Sequence, residues 1–356
     1  MSDELSRVRI FAKTVRYSGD KLRAKGSIKR SNDEKNSFFS MNSMLINPLV
    51  TPVISKSIEN VINRLQIPHE SVKAYVYASS DIQAECHAGD DVDCIIRLSS
   101  GLIDILEDKE IDFVVGHEIG HFIYAHGSAI ASNRSESLEF SIQQRAQEIS
   151  ADRIGLLACG SLDHSIRAMM KTMSGLSSKY LKFNIGAFLS QLSNTEKFKS
   201  QIDSNSSHPS ILVRCRALLW FSMSETFKSG EQNYQPNEVA KLNKKIKDDI
   251  DKFVDSIARE RINTLKKDVA LWLCAAKIIE DNAFNSNEQQ IFNEMFGQEL
   301  LDKLKNFLSG HQDASSVQKS VSEKLDAAVR NLQGEIPVSF ENEMAVLEKE
   351  ISSNFV

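Results

Sequence analysis

Residues 112–127 read Asp-Phe-Val-Val-Gly-His-Glu-Ile-Gly-His-Phe-Ile-Tyr-Ala-His-Gly, so His117, Glu118 and His121 are spaced H-E-x-x-H. On a helix, residues four apart lie one above the other on the same face. His117 and His121 can then each offer one imidazole nitrogen to a single metal ion. Glu118 sits about 100° round the helix from His117, able to reach a water beside that ion without being a ligand. This is the division of labour of a hydrolytic zinc site. The flanking Phe113, Val114, Val115, Ile119, Phe122 and Ile123 make the helix apolar nearly all round and predict its burial. Two histidines and a glutamate are costly to bury without partners, and a bound metal removes that cost.

A catalytic zinc takes three protein ligands and keeps one position open. The third ligand should come from a separate helix. The helical pattern over 138–157 carries Glu148 and Asp152, one turn apart on one face. Glu148 can coordinate the metal. Asp152 can accept a hydrogen bond from the far nitrogen of a ligand histidine and fix its tautomer. Glu136 and Glu139 are the alternatives to Glu148, but they lie in or near a loop and lack a partner aspartate. Ala151 and Gly155 are small enough to let this helix come close to another. His126, five residues after His121, is expected to face away from the metal.

Other elements frame these two helices. Residues 1–45 are polar and locally basic and read as an arm or cover. Apolar residues recur at helical spacing from Pro52 to Ile67, and Pro68 ends that run. Residues 73–79 and 93–98 read as strands, separated by a polar turn rich in Gly and Asp. Gly127 is expected to end the H-E-x-x-H helix. Helices are expected again over 163–173 and 210–221, then a linker at 230–236. Residues 237–356 read as a helical accessory domain, mildly acidic, leaving 46–230 as the domain that holds the chemistry.

The chain has 356 residues, enough for about two domains. Its formal net charge is -5, which argues against nonspecific nucleic-acid binding. Five cysteines without a C-x-x-C pair suggest free thiols in a reducing compartment. The first residues carry no signal-peptide pattern, and the most apolar run, 269–279, is too short to span a bilayer. The expectation is a soluble, cytoplasmic protein with no membrane span.

The sequence resembles the M48 family of zinc metallopeptidases. The matching features, in order, are Ser-Ser-Gly-Leu-Ile-Asp at 99–104, His-Glu-Ile-Gly-His followed by Ala-His-Gly, Glu-Ile-Ser-Ala-Asp-Arg-Ile-Gly at 148–155, and Ser-His-Pro-Ser at 207–210 with Arg214 after it. The resemblance implies a mainly α fold with a small β-sheet, a gluzincin-type metallopeptidase domain followed here by the C-terminal helical domain. It implies one zinc per chain held by His117, His121 and Glu148, with Glu118 as catalytic acid and base. It places His208 near the metal, either stabilising an oxyanion or occupying the open position. Arg214 would support the site by ion-pairing, with Asp152 as its partner. It also implies that Cys94, Ile95, Ile96, Arg97 and Leu98 form the edge strand on which an extended substrate pairs. Relatives often have Asn-Ala before that strand, where this chain has Gln83-Ala84. Many relatives also carry membrane helices, which this chain lacks, so a membrane-protein substrate does not carry over.

A faint similarity to TerB-like helical domains lies at 269–307, where Asp281 and Glu288 flank an acidic turn; a capped helix hairpin is the plainer account. The function expected is a regulated zinc-dependent endopeptidase acting on protein or peptide substrates, with a regulatory partner at the C-terminal domain. The alternative is a latent or non-proteolytic zinc-containing sensor or interaction protein working through its C-terminal helices. Glu118 favours hydrolysis, since a structural zinc has no use for it.

Overall fold

The structure is a computed structural model, and it describes residues 11–20, 39, 41–88, 94–126, 137–192, 210–229, 235–280, 284–310 and 313–354. It divides into two compact units, one of Met1–Asn133 with Ser141–Asp255, the other of Arg134–Phe140 with Ser256–Val356.

The first unit holds a four-stranded sheet: β1 (Met44–Leu45), β2 (Val72–Tyr77), β3 (Ala84–Ala88) and β4 (Cys94–Ser99), in the order β1-β2-β4-β3. β2 and β4 run parallel, and the two outer pairs are antiparallel. Side chains alternate across the strands. Val72, Ala74, Cys94, Ile96 and Leu98 enter the main core, while Tyr75 and Ile95 pack with Phe39 on the other face. β3 occupies part of the polar segment that the sequence pattern reads as a turn. Its ladder with β4, not its composition, makes it a strand.

Helices cover the sheet's inner face. α1 (Pro52–Leu65) buries Ile58, Val61, Ile62 and Leu65 and stops where Gln66 turns left-handed at φ 55°. α2 (Ser100–Ile105) leads into α3 (Asp108–Ile123), the H-E-x-x-H helix. A reciprocal cap between Glu107 and Glu110 starts α3. The Lys171 ammonium reaches Glu110 at 2.6 Å inside the core, so this buried carboxylate is paired. α4 (Leu138–Cys159) crosses α3 closely. A Cβ on Gly120 would lie 2.9 Å from Ala151 Cα, and one on Gly155 would lie 2.9 Å from the Phe113 side chain. Small residues at this crossing therefore let the ligand-bearing faces of the two helices meet.

α5 (Leu162–Ser174), α6 (Ile185–Leu189), α7 (Ile211–Ser222), α8 (Glu225–Ser229) and α9 (Pro236–Ile250) complete the first unit. Leu242, Ile246 and Ile250 of α9, and Phe253 beyond it, belong to the main core. The unit thus continues to Asp255 rather than closing at the 230–236 linker. α9 is also tied in by polar contacts, Arg216 to Asp249 and Arg153 Nη2 to Asn243 Oδ1 at 2.8 Å. Residues 11–20 are built in as well: Ala12, Val15 and Tyr17 are buried in the same core.

The second unit contains α10 (Ser256–Glu280), α11 (Ser286–Phe296), α12 (Gln298–Ser309), α13 (Ala314–Glu335) and α14 (Phe340–Asn354). Its interior is two apolar clusters, one around Cys274, Ile278, Phe292 and Leu304, the other around Val269, Ala328 and Leu332. Glu288 accepts from the Asn285 backbone N–H and completes the N-terminal cap of α11, while Asp281 lies outside the described residues. Among the described residues, no helix is long and apolar enough to cross a membrane.

Candidate metal centre

His117 and His121 project from one face of α3, and Glu148 faces them from α4. One ligand atom from each of the three lies within 4.8 Å of the others. His117 Nε2 and His121 Nε2 are 3.0 Å apart, and each stands 3.5 Å from one Glu148 carboxylate oxygen. Glu139 is engaged elsewhere, accepting from the Val338 and Ser339 backbone N–H groups of the second unit, and Glu136 lies outside the described residues.

Asp152, one turn after Glu148, accepts His117 Nδ1–H at 3.0 Å. Arg214 of α7 locks this carboxylate with two N–H donors, Nε at 2.8 Å and Nη2 at 2.6 Å, and reaches Glu148 with Nη1 at 2.8 Å. A neutral His117 that donates Nδ1–H to Asp152 presents a lone pair on Nε2 towards His121 and Glu148. Burial pushes the Glu148 carboxyl up, but Arg214, His117 and His121 outweigh it and hold the group at about 2. Burial, then the charge on His117, lowers His121 to about 3. Burial disfavours His117's charged form too, yet the Asp152 hydrogen bond and the Glu148 charge raise it overall. With His117 Nε2 deprotonated, as binding a metal requires, two imidazole nitrogens and an ionised carboxylate converge in a largely buried cluster, and this donor set fits a divalent cation of the zinc type.

Glu118 follows His117 directly and is 8% exposed. Burial pushes its carboxyl up to about 7 against the opposing charge of His117, with the Glu148 and Glu85 charges adding to the rise and Arg214 opposing it. A buried carboxyl poised near neutrality is suited to taking and returning a proton.

His208 lies outside the described residues. The strand holding Cys94, Ile95, Ile96, Arg97 and Leu98 is not an edge: β4 lies between β2 and β3, hydrogen-bonded on both sides. The expectation fails because the sequence does not show β3, which pairs outside it. Among the described residues, β3 pairs only with β4 and forms the sheet's edge beside α3.

His126 also departs from expectation. α3 stops at Ile123, four residues before Gly127, and Ala125 takes a left-handed φ of 55°. The chain folds back there and buries His126 to 4% exposure, with its Nδ1 2.7 Å from His121 Nδ1. Its Nε2 lies 3.0 Å from Asp20 Oδ2. Neither His126 nor Asp20 shows a ligand-like spacing, so a fixed helical period could not find them.

Residues 48–138 match the model of peptidase family M48. The chain is also 29% identical over 118 residues to the Metalloprotease YcaL of Escherichia coli (strain K12), covering 31% of this chain and 42% of the relative. It thus spans less than half the length of that curated relative. No solved structure matches.

Proposed function

We propose that this chain is an M48-family, zinc-dependent endopeptidase that hydrolyses peptide bonds at the His117–His121–Glu148 centre. The observation that carries the reading is the convergence of the three ligand atoms with a buried carboxyl next to them on α3. His117, His121 and Glu148 would hold one zinc ion. That ion would supply Lewis acidity towards water and towards a carbonyl oxygen.

The chain's own groups do the rest. Glu118 removes the proton of the attacking water and returns it to the departing amine nitrogen, so one carboxylate serves as base and then as acid. Its burial keeps it able to exist in either state near neutral pH. Asp152 and Arg214 hold the His117 ring in register and keep Glu148 ionised. An extended peptide would add to the side of β3 that no strand among the described residues covers, placing its backbone along the sheet edge beside α3.

The test is digestion of an unbiased peptide library, with wild type compared with Glu118→Gln and with chelator-treated protein. Cleavage by wild type should stop on metal removal and return with zinc. Glu118→Gln should keep its zinc and lose about 10²- to 10⁴-fold in rate. A variant with full activity would remove Glu118 from the chemistry, and one that loses its zinc would make Glu118 a ligand.

A further inference from the structure

The two ligand histidines are not supported alike. His117 donates its Nδ1–H to a carboxylate directly. His121 meets a second histidine, and the carboxylate stands one ring further away.

Asp20 belongs to the short segment 11–20, far from α3 in sequence. Its carboxylate is fully enclosed and receives donors from three sides. Arg16 Nε and Nη2 donate at 2.8 and 2.7 Å, Gln143 Nε2 donates at 2.9 Å, and His126 Nε2 stands at 3.0 Å. A carboxylate so surrounded is ionised and only accepts. His126 Nε2 must therefore carry a proton. Its Nδ1 then serves as the acceptor for His121, and the His121 proton sits on Nδ1. The only His121 nitrogen left with a lone pair is Nε2, the atom 3.0 Å from His117 Nε2 and 3.5 Å from Glu148. Each proton position follows from the one before, beginning at Asp20.

We propose that Asp20 and His126 are positioning residues for the metal ligand His121: the Asp20 carboxylate fixes the His126 tautomer, and His126 in turn fixes the tautomer and ring angle of His121. The relay is anchored as a built feature. The Tyr124 ring stacks on His126 at 5.3 Å and its hydroxyl donates to Ala12 O at 2.8 Å, while Arg153 Nη1 donates to Val15 O at 2.7 Å and Ser150 Oγ accepts from Tyr17 N at 3.2 Å. The segment that looks like a loose arm in sequence thus carries one half of the ligand support. The inference rests on the metal-centre reading above and adds two residues to which that reading gives no role.

The experiment uses the full chain and zinc alone. Zinc affinity is measured by chelator competition for wild type, His126→Phe, His126→Gln, Asp20→Asn and Tyr124→Phe, with thermal unfolding of each metal-free protein alongside. His126→Phe keeps a ring but offers no acceptor and should lose about 10- to 100-fold in affinity. His126→Gln restores an oxygen acceptor and should recover part of that loss. Asp20→Asn can turn its amide N–H₂ towards His126 and invert the relay, for a loss of about 10-fold. Tyr124→Phe loosens the same segment without touching the relay and should lower the unfolding temperature while leaving affinity unchanged. Long-range 1H–15N spectra of zinc-loaded wild type should place the His121 proton on Nδ1 and the His126 proton on Nε2. Wild-type protein that binds zinc tightly while His126→Phe binds it equally well overturns the relay alone, as does a His126 proton found on Nδ1. Wild-type protein that binds no zinc overturns the metal centre itself, a distinct outcome.

Discussion

The two sides of the proposed metal centre reach the same end by different routes. On the His117 side, ligand and support come from regular helices. Glu148 and Asp152 are one turn apart on α4, and Arg214 on α7 binds both carboxylates. On the His121 side, the support is a chain of single contacts from a helix-ending turn, through His126, to a short N-terminal segment. Both end in an aspartate clamped by two N–H groups of one arginine, Asp152 by Arg214 and Asp20 by Arg16. A compact, short-range support should resist damage at a distance. A long-range one should fail when the segment carrying its last member leaves the core.

The largest expected effect tests that weakness. α9 holds Arg153 through Asn243, and Arg153 holds the Val15 carbonyl in the segment that carries Asp20. Ending the chain after Gln235 removes Leu242, Ile246, Ile250 and Phe253 from the core. Each buried side chain contributes roughly 1.5–3 kcal/mol, and their sum is comparable with the whole stability of a domain, about 5–15 kcal/mol. The shortened chain should be insoluble or unfolded, as circular dichroism will show. A soluble, zinc-binding product would mean that α9 is dispensable and that the first unit ends before it.

The next effect breaks the compact side. Arg214→Met leaves two buried carboxylates, Glu148 and Asp152, without their common cation. Stranding buried charge in this way costs about 3–5 kcal/mol, read as a lower unfolding midpoint of the metal-free protein. Zinc should restore more stability to this variant than to wild type, because the ion replaces part of the missing positive charge. Equal stabilisation of both proteins would show that Arg214 is not electrically coupled to the centre.

The comparison also explains what the sequence could tell. His117, Glu118, His121, Glu148 and Asp152 are legible because a helix converts spacing into direction, and each helix carries at least two of them. Arg214 comes from the family resemblance, as the arginine after Ser-His-Pro-Ser, and not from spacing. His126 is not legible: its position depends on α3 ending at Ile123 and on Ala125 turning left-handed, and neither residue announces this. Asp20 sits in a polar stretch, and His126 and Gln143, which it meets besides Arg16, are more than a hundred residues away. The helical class and the small sheet were readable from periodicity. The strand order was not, because β3 is polar and pairs through its backbone, so its place outside β4 leaves no mark on composition.

A smaller effect concerns acid. Burial pushes the Asp20 carboxyl up, but hydrogen bonds from His126 and Arg16 outweigh it and hold the group at about 2, against an ordinary value of 3.8. A depressed carboxyl contributes stability that is present above its unfolded pKa. That contribution is lost as pH falls from about 4 through about 2. The size is on the order of 2 kcal/mol, since one pKa unit is worth about 1.4 kcal/mol. Unfolding midpoints measured between pH 7 and pH 2 should fall less steeply for Asp20→Asn than for wild type across that acid window. Parallel curves would show that Asp20 carries no such linkage.

The smallest effect probes the point where the two supports share a helix. Ser150 lies on α4 between Glu148 and Asp152, but its hydroxyl accepts from the Tyr17 backbone N–H at 3.2 Å and so serves the N-terminal segment. Ser150→Ala removes that acceptor, and the loss of one buried hydrogen bond costs roughly 0.5–1.5 kcal/mol. The carboxylates on either side of it keep their arginine, so the His117 side should be untouched. A loss of stability with unchanged zinc affinity would show that segment 11–20 tolerates modest loosening before the relay gives way. A parallel loss of affinity would show that the long-range support depends on every one of its anchors. If Ser150→Ala instead disturbed the Asp152 pairing, seen as a changed His117 ring signal in 1H–15N spectra, the two sides would be one coupled network and the contrast drawn between them would fail.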